Sequence, residues 1–163
     1  MSAPAEWTPQ LIQAEVDALK DKPGALLPIL HAIQDRVGFV PDASVPIIAE
    51  SLGLTRAEVH GVISFYHHFR TSRPGSHVVR ICRAEACQAM GSRALEAHAK
   101  ASLEIDYHQT TRDREITLEA VYCLGNCACG PSICVDDRVH GRVTPEAFDR
   151  LVDDLRTTPL EVK

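Results

Sequence analysis

The chain has 163 residues, 45% of them apolar and 24% charged, with a formal net charge of −5. That length supports one ordinary domain, or a compact domain plus a smaller helical one. The acidic balance leaves no electrostatic footprint for nucleic acid, and no apolar run approaches the length that spans a bilayer.

The opening stretch MSAPAEWTPQ has neither the basic start nor the apolar segment of a secretory signal. The expected location is therefore cytoplasmic, where thiols stay reduced. Thr8-Pro9 fits an N-cap followed by proline at the first helical position. Leu11, Ile12, Val16 and Leu19 then form a helical stripe that stops at KDKPG. A second helix carries Leu26, Ile29, Leu30, Ile33 and Val37, with Gly38 suited to its C-terminal cap. Pro28 must fall in its first turn, or the helix starts later. A third helix runs from about Val45 to Leu52 and ends at Gly53. The fourth opens on Thr55-Arg-Ala-Glu58, a capping box, and Val59, Val62, Ile63, Tyr66 and Phe69 give it an apolar face. TSRPGS breaks the pattern and places a domain boundary near residues 71–76, giving domains 1–73 and 74–163.

The second half changes character. HVVRIC reads as a strand running into Cys82, and GSRALEAHAKASLE as a helix with Leu95 and Ala99 inward. EITLEAVYC reads as a strand ending at Cys123, and SICVDDRVHGRV as two short strands around a turn at Asp136-Asp137. TPEAFDRLVDDLR closes the chain as a helix with Phe148, Leu151, Val152 and Leu155 inward. A small mixed sheet flanked by helices, after a helical N-terminal half, is an α+β layer structure.

All six cysteines lie in this half: Cys82, Cys87, Cys123, Cys127, Cys129 and Cys134. Clustered thiols in a reducing compartment point to metal ligation or redox chemistry before structural disulfides. Four thiols suffice for one tetrahedral metal ion or one [2Fe–2S] cluster. Cys82 and Cys87 stand at C-x4-C after the first strand, and Cys123 and Cys127 at C-x3-C after a later one. Loops leaving the same end of a sheet could face each other across such a group. Gly91, Gly125 and Gly130 would let the backbone turn tightly and approach the sulfurs. Zinc tolerates the same spacings, although a chain with a core of its own needs such a staple less. A dithiol redox enzyme would carry C-x-x-C, and no such pair exists here. The plant-type ferredoxin spacing is absent too, because position 90 is methionine. Spacing alone thus leaves iron–sulfur first, zinc second and thiol chemistry third.

CRAEACQAMGS, ITLEAVYCLGNC and VTPEAF, with LLPILHAIQDRVGFVP and EVHGVISFYHHF upstream, closely resemble one family. It is that of the small thioredoxin-like [2Fe–2S] subunit of respiratory complex I and its relatives, which include NAD-dependent formate dehydrogenases and NAD-linked hydrogenases. The resemblance spans roughly residues 10–155. It implies an N-terminal helical bundle followed by a thioredoxin-like ferredoxin domain. It also implies one [2Fe–2S] cluster with Cys82, Cys87, Cys123 and Cys127 as ligands, exchanging single electrons with a flavoprotein partner that carries FMN and the NAD(H) site. Within the family, CRAEACQAMG looks most like the gamma subunit of the cytoplasmic, molybdenum-containing, NAD-dependent formate dehydrogenase. That version implies a catalytic molybdenum subunit beyond the flavoprotein and no substrate site on this chain. The alternative from another class is a zinc-stabilised interaction module without enzymatic role.

Cys129 and Cys134 fall outside the four-ligand pattern. They read as small buried residues beside the site; the sharper reading makes them substitute ligands or an oxidisable pair. His67 and His68, adjacent on the fourth helix, cannot form an i, i+4 metal pair. His77, His98 and His140 belong to no ligand motif. Phe65, Tyr66 and Phe69 read as core, with a partner-facing aromatic patch as the alternative. Glu85, between two of the thiols, either lowers a nearby centre's potential or points to solvent. Asp136-Asp137 and Asp153-Asp154 read as a turn and a solvated helix face. No nucleotide fingerprint is present, so NAD is not expected on this chain.

Overall fold

A computed structural model describes residues 6–157. Residues 1–5 and 158–163, the outer ends of the two expected domains and half of the stretch read for a leader, lie outside the described residues. The chain divides into two compact units that meet in sequence at Arg73 and Pro74.

The first unit carries helices α1 (Pro9–Leu19), α2 (Leu26–Val37), α3 (Ser44–Leu52) and α4 (Arg56–Phe65). Local chemistry sets most of their ends. The Thr8 hydroxyl accepts from the Leu11 N–H at 3.2 Å and Pro9 opens α1. Pro28 lies in the first turn of α2, where its missing N–H costs nothing. Gly38 closes α2 at φ +92°, a conformation that suits glycine. The capping box on α4 forms as read: the Glu58 N–H donates to the Thr55 hydroxyl at 3.2 Å, and the Thr55 N–H to the Glu58 carboxylate at 2.8 Å. Ile12, Val16, Ile29, Leu30, Ile33, Ile48 and Val59 share one core between the helices.

The fourth helix is shorter than its apolar face suggests. It ends at Phe65, and Tyr66 is already extended. His67 and His68 therefore sit in a turn rather than on a helix. The cause is a buried amide on α2. Gln34 donates from Nε2 to the His68 carbonyl at 2.9 Å and accepts the Arg70 N–H at 2.8 Å. The Val40 N–H adds a bond to the Arg70 carbonyl at 2.7 Å. These bonds pull the chain off the helix axis and bury Phe69, while Phe65 is left 73% exposed and Tyr66 exposed as well. The expectation of core packing thus holds for Phe69 and fails for Phe65 and Tyr66.

The second unit carries β1 (His77–Cys82), α5 (Glu85–Ala89), α6 (Ser92–Leu103), β2 (Gln109–Thr110), β3 (Ile116–Val121), a 3-10 turn at Cys127–Cys129, β4 (Ile133–Val135), β5 (Arg138–His140) and α7 (Pro145–Thr157). The strands form one mixed sheet in the order β2-β3-β1-β4-β5. β1 and β3 run parallel; the other pairs are antiparallel. Alternate residues Val79 and Ile81, Ile116 and Leu118, Ile133 and Val135 form one apolar face. Leu95, Ala99 and Leu103 of α6 and Phe148 and Val152 of α7 pack into the same core. Asp136 and Asp137 take φ +46° and +71°, the left-handed pair that a two-residue hairpin turn uses. Asp136 does more than turn the chain: its carboxylate accepts from the Val78 N–H at 3.0 Å and bonds the His77 ring. Sequence periodicity does not register α5 or the two-residue β2, both being too short for a period. β3 also stops two residues before Cys123.

Candidate metal centre

The parallel pairing of β1 and β3 decides where the thiols meet. Cys82, the last residue of β1, lies in register with Val121, the last residue of β3. The loops that follow both strands therefore leave the same end of the sheet. The first loop folds at once into α5, which carries Cys87. The second runs through Cys123 to the 3-10 turn that begins at Cys127.

Cys82 and Cys87 are 2% and 1% exposed. The Cys87 thiol lies near enough to that of Cys82 to push it up. Cys123 and Cys127 are exposed, and their sulfurs stand 3.8 Å apart. The segments that carry the pairs also meet: a Cβ at Gly130, just past the 3-10 turn, would lie 3.5 Å from the Cys87 α-carbon. The four expected residues are thus brought together as two pairs. Among the described residues, no three His, Cys, Asp or Glu side chains close around one point as a single ion would require.

The electrostatics follow from this crowding. Burial pushes the Cys82 thiol up and the Cys87 thiol adds to it, while N–H groups of Ala84 and Leu124 pull it down. The hydrogen bond that Cys127 shares with Cys123 pushes the Cys127 thiol up, and the charge of the neighbouring thiol adds to it. Adjacent thiolates repel, and a cationic centre between them removes that cost. Backbone N–H groups supply part of the same compensation: the Gly125 N–H reaches the Cys123 sulfur at 3.3 Å.

The glycines act in different ways. Gly91 and Gly125 take φ +98° and +73°, the left-handed turn expected of them. Gly130 does not; its φ is −66°. It instead gives close approach, since a Cβ there would lie 3.3 Å from Met90 Cβ and 3.5 Å from Cys87 Cα. Glu85 lies exposed in the first turn of α5. Tyr122, beside Cys123, is 69% exposed.

The remaining candidates fall elsewhere. Cys134 is buried on β4, in register with Arg80 of β1. Cys129 is only half-buried, at the end of the 3-10 turn. His77 starts β1, at the opposite end from Cys82, and His98 bonds Asp149 of α7 at 2.7 Å. Sequence reading does not single out Ser92, Asn126 or Ser132, which hold the cysteine-bearing segments. The Ser92 hydroxyl donates to the Cys82 carbonyl, and the Cys82 N–H donates to the Ser132 carbonyl at 3.0 Å. Small polar residues in a loop carry no periodic signal by which to find them.

A two-layer unit with cysteine pairs where two parallel strands end is the frame of a cysteine-ligated metal protein. The family model for the thioredoxin-like [2Fe-2S] ferredoxin matches residues 12–156, and the chain belongs to that family. The E subunit of NADH-quinone oxidoreductase from Pseudomonas aeruginosa is 34% identical over 142 residues, covering 87% of this chain and 86% of that protein. Its counterpart in Escherichia coli K12 is 34% identical over 144 residues, covering 88% and 87%. The structure of an NAD+-reducing [NiFe]-hydrogenase in the air-oxidized state superposes with a TM-score of 0.69 at 22% identity. That match covers 87% of this chain but 24% of the hydrogenase chain, and it bears on the fold alone. The cofactor of the family is one [2Fe–2S] cluster. The donor set fits it: four thiols in two pairs, with a backbone N–H aimed at the Cys123 sulfur. Among the described residues, no helix is long and apolar enough to cross a membrane.

Proposed function

We propose that this chain is the one-electron carrier of a multi-subunit NAD-linked oxidoreductase, with Cys82, Cys87, Cys123 and Cys127 as ligands of its [2Fe–2S] cluster. The observation that carries this reading is the meeting of the two thiol pairs at the shared end of β1 and β3. A binuclear cluster on four cysteines takes two thiolates per iron, whereas a tetrahedral zinc ion gathers all four around one point. When bound, the cluster supplies one-electron transfer. The chain's own contribution is to hold the pairs, to keep water from Cys82 and Cys87, and to aim a backbone N–H at the Cys123 sulfur, which favours added negative charge. The exposed Cys123 and Cys127 leave the other side open to a partner.

The partner in this reading is a flavoprotein subunit that carries FMN and handles NAD(H) as a two-electron carrier. The names of the relatives support an NADH-linked complex, and the CRAEACQAMG stretch favours a formate dehydrogenase with a molybdenum subunit among such complexes. The chemistry on the final substrate then belongs to other subunits. In the same reading the protein works in the cytoplasm and consists of a helical bundle over residues 1–73 and a ferredoxin domain over 74–163.

The decisive experiment is anaerobic purification of the chain, with iron and sulfide assays and EPR before and after dithionite. About two irons and two sulfides per chain and a signal that appears on reduction are expected. Zinc without sulfide would make the chain a structural module instead. Molybdenum and formate-dependent NADH formation in the co-purified complex test the choice of parent; their absence, with quinone reduction present, would assign it to complex I.

A further inference from the structure

We propose that Ser132 is a positioning residue of the metal centre, holding the strand end that carries Cys82 and the turn that carries Cys127 at a fixed separation. The inference rests on the ligand assignment above and adds to it the residue that sets the spacing between the pairs.

Ser132 lies just before β4 and is 1% exposed. Its main chain faces one ligand segment: the Cys82 N–H donates to its carbonyl at 3.0 Å. Its side chain faces the other. The hydroxyl oxygen accepts from Asn126 Nδ2 at 3.2 Å, and the hydroxyl proton is shared between the carbonyls of Cys129 at 3.3 Å and Asn126 at 3.4 Å. Asn126 and Cys129 bracket Cys127, and the Cys129 N–H closes the turn on the Asn126 carbonyl at 3.0 Å. One residue thus bonds directly to Cys82 and to both ends of the turn that opens on Cys127.

The outer side of that turn is held by the segment after β5. The Arg142 N–H donates to the Cys129 carbonyl at 2.7 Å, and the Val143 N–H to the Pro131 carbonyl at 3.0 Å. Gly141 lets this segment come so close: a Cβ there would stand 2.6 Å from Asn126 Nδ2 and 2.8 Å from the Cys129 carbonyl oxygen. The turn is clamped between Ser132 and residues 141–143. Cys127 has no strand or α-helix of its own to fix it, so its place relative to the buried pair depends on that clamp. Removing the Ser132 hydroxyl leaves the Cys82 bond intact and takes a partner from Asn126, loosening the Cys127 side alone.

A buried hydroxyl can also matter only for general stability, so a second variant is needed. Thr111 is equally buried, and its hydroxyl bonds Asp113 and Ile116 at the far end of β3 from the thiols. We compare Ser132→Ala with Thr111→Val in the full chain. In the metal-free protein, hydrogen exchange at the Cys129 and Arg142 amides should quicken about fivefold in Ser132→Ala, the factor equivalent to one ordinary hydrogen bond, and stay unchanged in Thr111→Val. In the chain holding iron and sulfide, loss of the cluster to a chelator should quicken by a similar factor in Ser132→Ala, with shifted EPR g-values. Unchanged exchange and unchanged cluster loss in Ser132→Ala would overturn the proposal, as would equal acceleration in Thr111→Val. A wild-type chain without iron or sulfide would sink the ligand assignment instead, and the exchange rates alone would then decide whether Ser132 clamps the two thiol segments.

Discussion

The two thiol pairs are equal in chemistry and opposite in setting. Cys82 and Cys87 are buried on regular structure, the end of a strand and a short helix. Cys123 and Cys127 are exposed, on a loop and a 3-10 turn. A thiol is small and apolar enough to pack like any core side chain, so the first pair is held by the same burial that holds the sheet. The second pair gains nothing from burial and depends on hydrogen bonds to its backbone. The difference teaches how one site can be sealed on one side and open on the other. Rigid elements exclude water from half of it, and a hydrogen-bonded loop presents the other half.

The largest expected effect ignores this contrast. Cys82→Ser and Cys123→Ser should each abolish or severely perturb the reduced EPR signal, while circular dichroism keeps the helical signature of the first unit. An unchanged spectrum would strike that residue from the ligand set. Next in size is thiol reactivity. In the metal-free chain, Cys123 and Cys127 should be alkylated about tenfold faster or more than Cys82 and Cys87, because a buried thiol waits for local opening. Peptide mass spectrometry over a time course reads this, and equal rates at all four positions would break the comparison.

Smaller effects sharpen it. Gly125 has open space around its α-carbon, so Gly125→Ala pays only for its left-handed backbone, about 1–2 kcal/mol. Denaturant unfolding should show that loss, and faster cluster release should accompany it because the Gly125 N–H bonds the Cys123 sulfur. Thr55→Ala removes the capping box of α4 and should lower the stability of the first unit by about 1 kcal/mol, with no change in the cluster spectrum. The least effect belongs to Cys134→Ser and Cys129→Ser, which should keep the EPR signal. Its loss in either variant would add a sulfur to the site.

Much of the fold was legible because its causes are local. Thr8-Pro9, Gly38, Gly53 and the Thr55–Glu58 box are satisfied within a few residues of themselves, so helix ends can be read from the chain. The alternation in HVVRIC and ITLEAV reports a sheet with one face in a core. The end of α4 was not legible, because Gln34 holds His68 and Arg70 across more than thirty positions of sequence. Exposure of Phe65 and Tyr66 follows from that remote amide rather than from their own periodicity.

The same division runs through the site. By itself, the sequence determined which thiols exist, their grouping into two spaced pairs, the glycines that allow tight turns beside them and the family they mark. Those are properties of residue type and short spacing. Only the tertiary structure decided that the pairs meet, which one is buried, and that Ser132 ties them. The parallel register of β1 and β3 sets the first, the seating of one pair on a strand end and a helix and of the other on a loop and a 3-10 turn sets the second, and hydrogen bonds between distant segments set the third. Each depends on groups far apart in the chain, and spacing along one strand of sequence carries no measure of separation in space.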